Sequence, residues 1–336
     1  MNNEIITLAH GGGGIRTQQL LEELIFPHLD KAVRARLDDS TCISMAAGTL
    51  AMSTDSYVVS PLFFPGGDIG RLAACGTIND IAMQGAQPTH ISLALIIEEG
   101  TTLADLRRVT ASFFAVCKET GVVLAAGDTK VVERGKGNGI FINTTGLGRV
   151  LPGIDTYVGN ARPGDAVLVS GTIGDHGIAV LSCRTELGFS TTLASDVAPL
   201  WDMVRQLLTE VPSLRCLRDP TRGGLAAALC DIASASKAGI HLTEQAVPVL
   251  PQVEAACDLL GLDALNVANE GKAVVVCAPE DEQKVLELLR RHPLGKDAAL
   301  IGRVTAQHPG MVVCETRFGG ERIVDLPSGE NLPRIC

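Results

Sequence analysis

Aromatic side chains are scarce in this chain, with one Trp, two Tyr and eight Phe among 336 residues. Its cores must therefore be aliphatic and rich in alanine. Positive charge is also short: 28 Lys and Arg stand against 38 Asp and Glu, a formal net charge of −10. A broad nucleic-acid surface needs clustered Lys and Arg, and no basic run with interleaved aromatics is present. Long apolar runs are missing too. Runs such as Leu93–Ile97 and Val122–Ala126 are far too short to span a bilayer. Met1–His10 has neither a basic n-region nor an apolar h-region, so no signal peptide is expected. These absences predict a cytoplasmic protein without nucleic-acid or membrane partners.

Paired cysteines are absent as well. The ten cysteines are scattered at positions 42, 75, 117, 183, 216, 230, 257, 277, 314 and 336, with no C-x-x-C pair and no zinc-site spacing. In a reducing compartment most are small buried hydrophobes, as Cys230 and Cys277 in their apolar segments suggest. Cys336 does not fit, because nothing follows to bury it. No Gly-Lys-Ser/Thr follows the N-terminal glycines, so there is no Walker A loop.

What is present points to two domains, since 336 residues exceed what one hydrophobic core usually serves. Short β-rich runs alternate with alanine-rich helical stretches. Strands are expected at 50–60, 89–97, 122–126, 139–148, 165–170, 273–277, 299–305 and 311–316. Helices are expected at 69–85, 103–120, 176–187, 197–210, 222–236, 250–261 and 281–291. The order is mixed rather than a strict βα repeat, which predicts an α+β fold. The turn-rich passage from Leu151 to Gly164 reads as the domain boundary. Leu326–Cys336 has two prolines and no periodicity, so it should be extended, mobile and poorly packed.

Several constellations could carry chemistry. His10-Gly-Gly-Gly-Gly14 precedes the helical Ile15–Ile25; it is either a flexible connector or a backbone cradle for an anion. Asp55, Asp80 and Asp128 each sit among apolar residues. Any one could be a cap or turn residue, but three such carboxylates suggest ligands for Mg²⁺ shared with phosphates. Lys130 and Glu270 are either a surface pair of little energetic weight or, in a closed site, candidates for proton transfer. Ser170-Gly-Thr-Ile-Gly-Asp-His-Gly177 and Arg218-Asp-Pro-Thr-Arg-Gly-Gly224 read as turn and capping chemistry, or as a phosphate or substrate wall with Arg222 as the anion contact. Cys336, on an extended tail, would be an exposed thiol, able to ionise and be acylated.

Together these motifs resemble the HypE family of hydrogenase-maturation carbamoyl dehydratases. That family belongs to the superfamily of aminoimidazole-ribonucleotide synthetase, selenophosphate synthetase and thiamine-phosphate kinase. The resemblance runs through Ala9-His-Gly-Gly-Gly-Gly, Ser53-Thr-Asp-Ser-Tyr-Val, Pro61-Leu-Phe-Phe-Pro-Gly-Gly and Gly127-Asp-Thr-Lys-Val-Val. It continues through the 170–177 motif, Asp219-Pro-Thr-Arg-Gly-Gly and Asn269-Glu-Gly-Lys, and ends in Pro333-Arg-Ile-Cys. The acidic and glycine motifs are shared across the superfamily; the Pro-Arg-Ile-Cys ending is the specific one.

The resemblance implies a two-domain PurM-like α+β fold, with the N-terminal-domain sheets of a homodimer forming a barrel. It implies a glycine-loop and helix segment at 1–36, an ATP-binding and dimerisation domain at 37–150, a second domain at 151–325 and a tail at 326–336. ATP would contact His10, Gly11, Gly12, Gly13, Asp55, Asp80, Asp128, Thr129, Lys130 and Arg222, with Mg²⁺ on Asp55, Asp80 and Asp128. Cys336 would carry the carbamoyl group, and Lys130, Glu270 and Asp80 would handle protons. Implied partners are a HypF-like carbamoyltransferase and a HypC–HypD-like cyanide acceptor. Two rivals are a selenophosphate synthetase and a nucleotide-binding scaffold. The former usually keeps a reactive Cys or selenocysteine near the glycine loop, where this chain has His10 and no cysteine before Cys42. The latter is weakly opposed by Lys130 and Glu270.

Overall fold

A computed structural model describes residues 5–11, 15–29, 43, 47–184, 191–325 and 335–336. Along the first half run α1 (Ile15–Leu24), β1 (Leu50–Tyr57), the short pair β2 (Phe63–Phe64) and β3 (Gly67–Asp68), α2 (Ile69–Met83), β4 (Ala86–Glu98), α3 (Leu103–Thr120), β5 (Val123–Val132) and β6 (Ile140–Val150). The second half holds β7 (Ala166–Val169), α4 (Asp175–Leu181), α5 (Trp201–Glu210), β8 (Cys216–Arg218), α6 (Gly224–Ser236) and β9 (Gly239–Thr243). It continues with α7 (Pro251–Leu260), β10 (Val274–Cys277), α8 (Glu282–Arg291), β11 (Ala299–Thr305), β12 (Val312–Glu315) and β13 (Glu321–Val324).

The first half folds around a four-stranded sheet of order β1-β6-β4-β5, in which only the β4–β5 pair is parallel. Strand alternation divides its residues between two faces. Ile91, Leu93, Leu95 and Ile97 of β4 are buried in the core with α2 and α3. The opposite face leaves Leu50, Met52 and Ile96 at 47%, 69% and 44% exposure. Every residue of α2 is buried except Arg71 and Asp80, as expected of a helix that is apolar almost all round. Asp68 caps α2 by accepting from the amides of Gly70 and Arg71 at 2.8 and 3.0 Å. Thr102 caps α3 through the Asp105 amide at 3.0 Å, and α3 stops at Gly121, whose φ is +72°.

The second half folds around a seven-stranded sheet of order β13-β12-β9-β11-β7-β10-β8. β7 and β10 are buried along their whole length, because helices cover both faces. Val167, Val169, Val274 and Val276 pack with Leu225, Leu229 and Ile232 of α6 on one side. Ala166, Leu168, Val275 and Cys277 pack with Met203 and Leu207 of α5 and Val285 and Leu289 of α8 on the other. The α+β reading holds. β8, β9 and β13 are additions to the sequence reading, being three to five residues long and set beside helices or turns. α5 begins at Trp201 rather than at 197. Its expected first turn is used otherwise: the carbonyls of Val197 and Ala198 accept from Arg71 and Asn79, and the Leu200 amide donates to Asn79. α4 ends at Leu181; the rest of the helix expected to 187 lies partly outside the described residues.

The expectation of a loosely packed tail is corrected where the tail is described. Ile335 is 4% exposed and belongs to the first-half core. Its apolar side chain gains more from that core than from water. Among the described residues no helix is long and apolar enough to cross a membrane.

The contact between α2 and α3 depends on a missing side chain. A Cβ on Gly70 would lie 2.0 Å from the Val109 carbonyl oxygen. A backbone oxygen cannot swing aside, so Gly70→Ala should destabilise the protein by about 2 kcal/mol or more in urea denaturation. Unchanged stability would mean that the two helices separate freely.

Candidate active site

The two halves meet over a small cavity. β1 supplies Asp55, Ser56 and Tyr57, and α2 supplies Gly76 and Asp80. The loop from β8 to α6 supplies Asp219, Thr221 and Arg222, and the segment before β10 supplies Glu270. Cys336 completes the lining. Gly76 and Asp80 are four residues apart and so share one face of α2. A Cβ on Gly76 would meet the Tyr57 hydroxyl at 2.2 Å, so glycine there makes room for Tyr57. The N-cap of α6 is Gly223, at φ +78°, without a side-chain cap; Asp219 is thereby left to face the cavity.

Hydroxyls hold the acids of the first half. Ser53 donates to Asp80 at 2.5 Å and Thr77 donates to Asp55 at 3.1 Å. The Thr77 hydroxyl also contacts those of Thr144 and Tyr57 at 2.5 and 3.3 Å. Asp219 is 6% exposed, and its Oδ2 has no hydrogen-bond partner. Glu270 is 3% exposed. Its amide and that of Gly271 donate to Asp196 at 3.1 and 3.3 Å. Asn79 donates to the Glu270 carbonyl at 3.3 Å and to that of Ala198 at 3.0 Å. The Glu270 backbone is thus pinned by α2 and Asp196, and its carboxyl is directed into the cavity.

Crowding of buried acids raises their proton affinities. Burial, and then the neighbouring Asp219, push Asp80 up to about 7. Burial pushes Asp219 up to about 6, partly countered by Arg218. Burial and then Asp219 and Asp196 hold Glu270 well above the carboxylate range. The exposed, ionised thiol expected at Cys336 is corrected: burial and Glu270 push it up to about 12, with Arg222 pulling the other way.

Asp55, Asp80, Arg222, Glu270 and Cys336 of the sequence-predicted set therefore converge. Asp128, Thr129 and Lys130 do not join them within one chain. They lie on β5, at the opposite edge of the sheet from β1, three strand spacings or roughly 14 Å away. Asp128 pairs with Ala94, which pairs with Asn143, whereas Asp55 pairs with Thr144. Asp128 and Asp55 consequently face opposite sides of the sheet. Lys130 pairs with Asp128 at 2.9 Å, both exposed, and not with Glu270. Gly11 lies against Val131 of β5, and His10 Nδ1 accepts from the Thr7 amide at 3.1 Å. Gly12 and Gly13 lie outside the described residues. Among the described residues no three His, Cys, Asp or Glu side chains are arranged to hold a metal ion by themselves.

Sequence reasoning missed Asp219, Tyr57, Thr77 and Asn79. Asp219 was visible only inside a motif that reads equally as turn chemistry. Asn79, beside Asp80, carries no signal of a junction between domains.

The acid cluster fixes a pH dependence of stability. The native state holds protons on Asp80 and Asp219 that the unfolded chain, with carboxyls near 3.8, has released. Stability should therefore fall as pH rises from about 4 towards 7. Asp80→Asn keeps an oxygen for the Ser53 hydroxyl and removes the charge. In chelator-treated, nucleotide-free protein its stability should change less over this range and at pH 8 equal or exceed that of the parent. Lower stability at pH 8 would contradict the account.

The comparisons with known proteins agree with this geometry. Residues 37–150 match the N-terminal domain of AIR synthase related proteins, and residues 162–314 match the C-terminal domain. The carbamoyl dehydratase HypE of Cupriavidus necator is 52% identical over 332 residues, covering 98% of this chain and 95% of that protein. A crystal structure of hydrogenase maturation protein HypE in complex with ATP superposes with a TM-score of 0.93 at 45% identity, covering 98% of this chain and 99% of the other. A HypE–HypF complex matches with a TM-score of 0.80 at 46% identity, over 92% of this chain and 99% of the other. The chain belongs to the HypE family of carbamoyl dehydratases, built on the paired AIR synthase related domains.

Proposed function

We propose that this chain uses ATP to dehydrate a carbamoyl group on Cys336 to an S-cyanate, the source of the cyanide ligand for a nickel–iron hydrogenase. The observation that carries the reading is the position of Cys336, which lines a cavity together with Asp55, Asp80, Asp219 and Glu270.

The chemistry suits that cavity. A carbamoyl oxygen is a poor leaving group until it is phosphorylated. The oxygen attacks the ATP γ-phosphorus, ADP departs, and the nitrogen gives up one proton. Loss of the second nitrogen proton with cleavage of the C–O bond expels phosphate and leaves Cys336–S–C≡N. Two protons leave nitrogen in each turnover, so the site needs acceptors. Asp80 and Glu270 line the cavity and take that role in this reading, as carboxylates once a bound cation has displaced the protons they otherwise hold. The ATP-bound relative supports nucleotide binding. Mg²⁺ fits the donor set only in company: Asp55, Asp80 and the unpartnered oxygen of Asp219 offer carboxylates, and phosphates would supply further oxygens.

Thr129 of β5 faces the core side beside Leu95, while Asp128 and Lys130 on either side of it stand on the other face of the N-terminal sheet. In this reading all three serve the nucleotide, together with His10–Gly13 and Arg222, within a homodimer whose two N-terminal sheets meet through that face. The exposed Leu50, Met52 and Ile96 there support such a contact. A HypF-like carbamoyltransferase would load the thiol, an assignment supported by the relative seen in complex with HypF. A HypC–HypD-like complex would accept the cyanide. The reaction is assigned to the cytoplasm.

Intact mass tests the reading. After incubation with a HypF-type enzyme, its substrates and Mg-ATP, Cys336 should gain a carbamoyl group and then lose about 18 Da, one water. Cys336→Ala should gain nothing. Glu270→Gln should be loaded normally but dehydrate at least about 100-fold more slowly. Equal modification of Cys336→Ala would remove the thiol from the mechanism.

A further inference from the structure

The motif at 170–177 contains a histidine that the reaction above does not use. His176, in the first turn of α4, is wholly buried. Its Nε2 lies 2.6 Å from the Ile335 main-chain carbonyl oxygen, and its Nδ1 lies 2.8 Å from the Ser195 hydroxyl. A carbonyl oxygen only accepts, so Nε2 carries the proton. The ring is neutral, because burial lowers its affinity for a second proton. Nδ1 therefore accepts, and Ser195 donates to it. The Ser195 oxygen in turn accepts from the Val197 amide at 3.1 Å. The bonds run in one direction, from Val197 through Ser195 and His176 to Ile335. The edge of the Phe64–His176 contact, with ring centroids 5.4 Å apart and planes at 88°, fixes the ring from the side.

We propose that His176 is the positioning residue that seats the C-terminal arm, holding the Ile335 carbonyl so that Cys336 enters the acidic cavity. The inference rests on the reading of Cys336 as carrier. It adds a residue that acts through the arm and not on the reacting atoms. Three features argue for a seat rather than incidental packing. The bond goes to a main-chain carbonyl one residue before the thiol, so it sets how deeply the arm is inserted. The Ile335 side chain is buried beside it, so apolar burial and the hydrogen bond act on the same residue. The next anchor, the Val58 amide to a Cys336 main-chain oxygen, is long at 3.4 Å. Among the described residues His176 thus makes the shorter of the two bonds to the main chain of Ile335 and Cys336, and release of the arm must break it.

The test uses the full-length protein. His176→Phe keeps an aromatic ring and removes the donor; His176→Gln restores an N–H at about the position of Nε2. Alkylation of Cys336 by iodoacetamide without ATP or partner, followed on the C-terminal peptide by mass spectrometry, reads seating directly. His176→Phe should raise its rate roughly tenfold, as expected for loss of one buried hydrogen bond, and His176→Gln should return it towards the parent. Ser195→Ala, which leaves the ring but frees its tautomer, should raise it several-fold. With the HypF-type enzyme, His176→Phe should be carbamoylated at least as fast as the parent and dehydrated roughly tenfold more slowly.

Unchanged alkylation in both His176→Phe and Ser195→Ala would overturn the seat, even if the parent dehydrates normally. If the parent itself never loses water, the carbamoyl reading fails. The alkylation arm would still decide the seat, because it needs neither nucleotide nor partner.

Discussion

Four carboxyl groups surround the space into which the terminal thiol is turned, and burial of acids without counter-charges is costly. This crowding sets most of what the cavity can do. Asp80, Asp219 and Glu270 retain protons that exposed acids would lose, and the thiol stays neutral beside them. Hydroxyls and the Arg218 and Arg222 guanidinium groups soften the cluster. Ser53 and Thr77 satisfy Asp80 and Asp55, and Arg222 stands on the far wall. Such a cavity is primed for a cation, which would displace those protons; in the proposed reaction the carboxylates so formed take up the protons that dehydration removes.

The cluster exists only because two separate cores are held in register. Asn79 does much of this from α2, donating to Ala198 and Glu270 and accepting from Leu200. Asp196 receives the amides of Glu270 and Gly271, with Lys272 at 3.5 Å from the same carboxylate. The first half therefore contributes Asp55 and Asp80 on rigid elements. The second contributes Asp219 and Glu270 on loops joined by Asn269, which donates to the Pro220 carbonyl, with the Glu270 backbone tied across the junction by Asn79. Ile335 spans both halves, its side chain in the first core and its carbonyl bonded to His176 of the second half.

Local signals in the sequence carried far. α3 runs from Leu103 to Thr120, the bounds expected from its apolar spacing. The paired cores of the second sheet follow from runs such as Val274–Cys277, whose buried residues alternate between helices on the two sides. The weaker readings fail for physical reasons. The first turn expected at 197 is absent because its backbone groups are taken by Arg71 and Asn79. Asp128 resembles Asp55 in local context, but strand order puts it at the other edge and alternation puts it on the other face. The tail has no periodicity, so nothing in its sequence reports that a pocket from both halves awaits Ile335 and Cys336.

The sequence by itself determined the α+β class, the course of helices such as α3, the acidic and glycine motifs and the cysteine at 336. These depend on residue type and spacing over a few positions, where steric and hydrogen-bonding preferences act directly. The tertiary structure alone decided which acids meet, which way each faces, that Asp219 joins them, and that His176 and a buried core receive the arm. Those outcomes depend on strand order, face and junction contacts between residues 20 to 191 positions apart, and no local spacing encodes them.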